Sequence, residues 1–373
     1  MNRIKPIDGL RTVAVLGVIW IHIWSFFGNM SFNIGPVNVY RLIAIVGNGV
    51  DLFFVISGFC MYLMYAKKYP VFSIKGYGNF VWGRWKRIAP AFYAAVMVYF
   101  LLRYNELLPD AVSILSAHLL FVHTVWNVTE LAAPFWSLAT EWHFYMVLPF
   151  LLYIGSNRFR FNVAFWVLMA LCMVFRFWLF GIHQQGINDL SLTDRIYVRF
   201  VEFGWGILAC RYYLSGNPLP KWLHGWGGFT VAFIVAYVGR LLMTTEIITR
   251  AGDLGFLIKS FSEPVMTLGF ALMILNLIKS ESIFSKTLNH RFFQFIGKIS
   301  YSMYLWHWLV AYSISSWLME YYGNSNSILM LSFTLTVLVL IPVSWVSYKL
   351  FEQFYFKKRS ALPVMPNATG QQS

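Results

Sequence analysis

Apolar residues fall along this chain in long, nearly unbroken runs. They lie near 10–28, 42–65, 88–102, 135–154, 162–182, 196–213, 227–244, 255–278, 299–319 and 328–350. Most approach the ~20 residues that carry an α-helix across the hydrocarbon core of a bilayer. Lipid offers backbone amides no hydrogen bonds, so runs of this length predict helices that satisfy their own backbone. A further run, 111–126, is shorter and carries His118 and His123. The pattern predicts an all-α, polytopic integral membrane protein.

Charge placement decides whether 111–126 crosses. If it does not, about ten helices span and both termini share one side. That side then collects Lys67, Lys68, Lys75, Arg84, Lys86, Arg87, Arg158, Arg160, Lys279, Lys286, Arg291, Lys298 and Lys349, while the other holds roughly Arg41, Arg103, Arg195, Arg199, Arg240 and Arg250. If 111–126 crossed, the bias would vanish. Cytoplasmic loops carry the excess of Lys and Arg. The expectation is therefore about ten transmembrane helices plus a re-entrant or interfacial helix near 111–126, with cytoplasmic N- and C-termini. A transmembrane domain should cover 1–355 and a disordered cytoplasmic tail 356–373. The first run is too long for a signal-peptide core and should persist as a helix.

Composition narrows the class. The chain has 373 residues, of which 58% are hydrophobic and 12% charged, more apolar surface than a soluble domain of this size could hide. The net charge of +14 is accounted for by one-sided loops. No basic, aromatic-interleaved soluble domain is present to bind nucleic acid. Cys60, Cys172 and Cys210 sit in apolar runs without metal-ligand spacing, so they read as inert and no metal is expected.

Ionisable residues inside membrane helices are costly and mark function by default. Arg11 and His22 share the first run. Eleven positions are three turns plus ~20°, so both side chains lie on one face, ~16 Å apart along the axis. Helix direction puts His22, Asp51 and Glu141 at a similar depth, ~10–15 Å below the outer surface. His22 is the natural general base, with Glu141 or Asp51 as the carboxylate that orients it. Arg11 suits an anionic ligand, although an Asp8–Arg11 pair competes with that reading. Arg84 and Arg87, in a loop before a membrane helix opened by Pro90, share a face and suit a phosphate. Trp136 and His307 are candidates to line the substrate path. Gly47, Gly49 and Gly58 read as close-packing positions. Lys259 should pair with Glu263, and Arg176 with Glu202. His118 and His123 could reach an acceptor from outside.

These segments, taken together, resemble a known family. IDGLRTVAVLGVIWIH, GVDLFFVISGF, RWKRIAP, FWSLATEWHFYMVLP, ISYSMYLWHW and SYKLFE occur in the order found in membrane acyltransferase family 3, whose members O-acetylate surface carbohydrates. The resemblance runs from about residue 5 to 353. It implies transfer of an acyl group, usually acetyl from acetyl-CoA, across the membrane to a carbohydrate hydroxyl, free or lipid-linked. It implies a multi-pass protein of the bacterial cytoplasmic (inner) membrane. Residue by residue, it points to Arg11, His22, Arg84, Arg87 and Glu141. An SGNH-type domain that some members add is not seen, so no relay through one is expected. A competing class is a transporter or flippase of a glycolipid or polysaccharide precursor. The absence of paired broken helices in matching halves weighs against it. Acceptor and oligomeric state stay open.

Overall fold

The computed structural model describes residues 4–354 except 36, 41, 42, 44–46, 69–72, 127, 155, 156, 183–191 and 244–251. The 356–373 tail lies outside the described residues. The described residues are helical almost throughout, with one two-residue antiparallel strand pair among them, Asn33–Ile34 with Val37–Asn38.

The main helices are α1 (Lys5–Phe26), α2 (Gly49–Lys68), α3 (Ile74–Leu102), α4 (Ala111–Leu119), α5 (Trp136–Ile154), α6 (Arg158–Arg176), α7 (Ile196–Leu214), α8 (Gly225–Leu242), α9 (Asp253–Lys279), α10 (Arg291–Tyr322) and α11 (Asn326–Ser347). Among the described residues, six segments are long and apolar enough to cross a membrane: Lys5–Phe26, Ile74–Leu102, Phe159–Ile182, Gly225–Leu242, Leu254–Lys279 and Asn326–Glu352.

Local chemistry explains several boundaries. Pro6 stands in the first turn of α1, where its missing N–H costs nothing. Ser73 and Ser325 cap α3 and α11 by accepting from the amides of Gly76 and Ile328. Two expectations need correction. Pro90 does not open a helix: α3 begins at Ile74, so the WGRWKRIAP stretch is helical and Pro90 lies inside. Neighbouring helices tolerate such a proline in membrane proteins by satisfying the freed backbone groups. The 111–126 run is not one helix either. It breaks after nine residues, turns at Phe121 with φ 59°, and resumes as the short helix His123–Trp126. Nine residues rise only ~13 Å, too little to span.

The packing centres on α1, which lies against α2 and α10, while α2 packs along α7. Close approach of α2 and α7 depends on two glycines. A Cβ on Gly58 would fall 2.1 Å from the Phe203 carbonyl oxygen, and one on Gly206 would fall 2.0 Å from that of Val55. Small residues at such contacts let backbones meet where lipid supplies no hydrophobic drive. Arg11 on α1 and Ser57 on α2 face one interior space.

Candidate active site

Helices α1, α2, α3, α5 and α10 contribute to the wall of a cavity of about 750 Å³. That volume falls in the range of small-molecule and cofactor sites, ~300–1,000 Å³.

Three guanidinium groups from two helices line it: Arg11, Arg84 and Arg87. Arg11 Nη1 donates to Asp8 Oδ1 at 2.8 Å, so the Asp8–Arg11 pair does form. The same side chain still faces the cavity, with Nη2 3.8 Å from Cys60 Sγ. Cys60 is therefore a wall residue as well. Arg84 and Arg87, three residues apart on α3, share the cavity face as their spacing predicts. Arg84 is buried, with Nη1 3.4 Å from Met61 Sδ. Arg87 Nη1 lies 2.6 Å from Glu352 Oε2, and its guanidinium sits over the Tyr301 ring at 4.9 Å.

Beside this basic wall stands Glu141 on α5. Its Oε1 accepts from Ser57 Oγ at 2.7 Å and from Tyr145 OH at 2.5 Å. One turn N-terminal on α5, Ser137 Oγ lies 2.6 Å from Tyr304 OH, so one of these hydroxyls donates to the other, and both oxygens lie within hydrogen-bond distance of the Pro134 carbonyl, at 3.0 and 2.8 Å. Tyr145 and Tyr304 went unremarked in the sequence. The first had a signal, the i,i+4 spacing from Glu141 that places it on the same face. The second is set by contact between α5 and α10, which sequence spacing does not encode.

His22 stands beyond this wall. Its Nδ1 lies 3.0 Å from His307 Nε2, with the two rings stacked at 5.1 Å and the Trp308 ring edge-on at 5.0 Å. His307 Nδ1 in turn donates to the Tyr304 carbonyl at 2.6 Å. His22, Asp51 and Glu141 are thus not brought together. Asp51 accepts from Asn48 Nδ2 at 3.0 Å and from Arg199 Nη1 at 3.2 Å. The reason is rotational: six residues separate Asp51 from Ser57, ~240° around α2, so Ser57 faces the cavity while Asp51 faces α7.

Asp51 belongs to a buried ion-pair group. Arg199 also meets Asp194 at 3.1 Å and Glu202 at 3.0 Å, and Arg176 pairs with Glu263. Arg199 and Arg176 carry the forked donors that reach these carboxylates. Trp136 packs under Arg199, 5.1 Å from ring to guanidinium, and so belongs to this group and not to the cavity wall. Burial pushes the Asp194 carboxyl up to about 6, against the pull of Arg199.

A second cluster lies in the segment before α5. His118, His123 and Glu130 have ligand atoms close enough to hold a metal ion. Glu130 Oε2 is 3.5 Å from His118 Nε2 and 3.9 Å from His123 Nε2. The two imidazoles stack at 4.2 Å with planes 4° apart, so their in-plane lone pairs run side by side without converging. His118 Nδ1 lies 2.8 Å from the Ile114 carbonyl, and His123 Nε2 lies 3.2 Å from that of Phe135. Both histidines are buried, which removes them from direct contact with an outside acceptor. Burial raises the Glu130 carboxyl above the usual range.

Comparison with known proteins assigns the family. O-acetyltransferase OatA of Staphylococcus aureus strain NCTC 8325 / PS 47 is 24% identical over 389 residues, covering 98% of this chain and 59% of that protein. A second protein, from S. aureus strain COL and provisionally named an O-acetyltransferase, is 25% identical over 350 residues, covering 86% of this chain and 52% of its own length. The chain spans about half the length of the curated relatives it matches. No solved structure matches. A family model described as an acyltransferase domain, that of acyltransferase family 3, matches residues 4–349, and the chain belongs to that family.

Proposed function

We propose that this protein is a membrane O-acyltransferase that moves an acyl group, acetyl in the first instance, from acyl-CoA at the cytoplasmic face to a hydroxyl of an extracytoplasmic carbohydrate. In this reading α1–α3 and α5–α11 span, α4 lies at the outer surface, and both termini are cytoplasmic in the bacterial inner membrane. One-sided loop charge and the shortness of α4 support that topology.

The observation that carries the proposal is the cavity. It joins Arg11, Arg84 and Arg87 to Glu141, Ser57 and Ser137 in one space. The guanidinium groups are counter-charges for the phosphates of the donor. Pantetheine is long and flexible, and a reach of ~15 Å, comparable to the Arg11–His22 rise, brings the thioester toward His22. His22 takes the proton of the acceptor hydroxyl. The hydroxyl oxygen bonds to the thioester carbonyl carbon, the carbon–sulfur bond breaks, and the thiolate leaves. Hydroxyls of Ser57 and Ser137 lie where the acyl group passes, and Glu141 holds Ser57. Homologues named O-acetyltransferases support acetyl as the group moved.

The test is incorporation of labelled acetyl from acetyl-CoA into surface glycan by membranes carrying the wild-type chain or Arg84→Ala/Arg87→Ala. The double variant should raise KM for acetyl-CoA about tenfold or more, the order expected from losing charge-assisted hydrogen bonds. An unchanged KM would remove the donor site from this cavity.

A further inference from the structure

Resting on the acyltransferase reading, we infer that His307 is the positioning residue of the base: it fixes His22 in the tautomer whose Nε2 lone pair is free. Four observations meet here. The Tyr304 carbonyl can only accept, so the Nδ1 of His307 within 2.6 Å of it carries that ring's proton. The Nε2 of a neutral His307 is then an acceptor. It lies 3.0 Å from His22 Nδ1, so His22 Nδ1 is the donor and the remaining nitrogen, Nε2, is the basic one. His307 is fully buried while His22 is only half-buried, so the member of the pair that meets a substrate is His22. Trp308 packs edge-on against His22 at 5.0 Å, which resists a ring flip that would exchange the two nitrogens.

Carboxylates usually do this work for a catalytic histidine. Here the carboxylates expected for the role are occupied elsewhere, Glu141 by Ser57 and Tyr145 and Asp51 by Asn48 and Arg199. An imidazole acceptor orients the base without adding a negative charge beside it. When His22 Nε2 takes the hydroxyl proton, the Nδ1–H remains directed at His307 Nε2, which supports the cation through that hydrogen bond. The Tyr304 backbone ties this pair to the cavity wall, because the same residue's hydroxyl contacts Ser137.

The experiment compares His307→Leu, His307→Gln and His22→Ala in proteoliposomes. CoA release from acetyl-CoA is followed with cell-wall glycan fragments as acceptor, and kcat and KM are determined separately. His307→Leu should lower kcat about 100-fold, within the range typical of general-base contributions, with KM for acetyl-CoA within about threefold of wild type. His307→Gln offers an amide oxygen to His22 Nδ1–H and should stay within about tenfold of wild type in kcat. A His307→Leu protein with wild-type kcat beside an inactive His22→Ala overturns the positioning role and leaves the base intact. A His307→Gln protein as inactive as His307→Leu also overturns it. An active His22→Ala overturns the acyltransferase mechanism from which the inference starts.

Discussion

Ser57 donates its hydroxyl hydrogen to Glu141 at 2.7 Å, tying α2 to α5 across the cavity. Tyr145 donates to the same oxygen. Glu141 therefore serves as an acceptor for two hydroxyls. Glu141→Gln puts an amide in its place, which cannot take both hydrogen bonds with the strength of a carboxylate. The variant should insert normally and lose about 100-fold in kcat for acetyl transfer. Tyr145→Phe, which leaves the Ser57–Glu141 bond in place, should cost about tenfold or less. Initial rates at saturating acetyl-CoA decide both.

Arg87 has two tasks that mutation can separate. Its partner Glu352 is fully buried, so Arg87→Ala strands a charge and should cost about 3–5 kcal/mol of stability. Arg87→Met with Glu352→Gln removes both charges and should recover most of that loss. If Arg87 also binds donor phosphates, the double variant recovers thermal stability but not KM. Recovery of both would reduce Arg87 to a structural role.

The α2–α7 contact leaves no room for a side chain at Gly58. Gly58→Ala puts a Cβ against the Phe203 carbonyl and should destabilise by about 1–3 kcal/mol, the usual cost of overpacking. Gly83→Ala meets nothing within 4 Å and should be neutral or slightly stabilising. Thermal unfolding in detergent measures both.

Asp194 gives the fold a pH dependence whose sign follows from its burial. Burial raises its folded-state value from 3.8 to about 6. A carboxyl raised on folding contributes stability below its unfolded value, and that contribution is lost as pH rises through about 6. The shift corresponds to about 3 kcal/mol at most. Unfolding temperature should therefore fall between pH 4 and 6.5 in the wild type more steeply than in Asp194→Asn. Parallel curves for the two proteins would contradict this.

Much of the fold was legible in the apolar runs, since length and the need to satisfy backbone groups leave few alternatives in lipid. The break in 111–126 was partly legible: charge bias argued that it does not span, but the turn at Phe121 carries no glycine or proline to announce it. Arg84 and Arg87 share the cavity face because their spacing on one helix already set it, whereas Arg11 joins them through the packing of a separate helix. Depth along a helix is a one-dimensional coordinate, and reading His22, Asp51 and Glu141 at one level suggested a contact that the structure does not make. Rotation about each helix axis was the missing quantity. It sends Asp51 toward Arg199, Glu141 toward Ser57, and His22 toward His307, a partner nearly three hundred residues away in sequence.

The most direct measurement is acetyl transfer by His22→Ala. Proteoliposomes are given acetyl-labelled acetyl-CoA and surface glycan as acceptor, with wild type and variant matched for inserted protein. A base at the head of the transfer path predicts at least a 100-fold loss of labelled glycan in the variant, with acetyl-CoA binding unchanged. Wild-type transfer by His22→Ala would contradict the account.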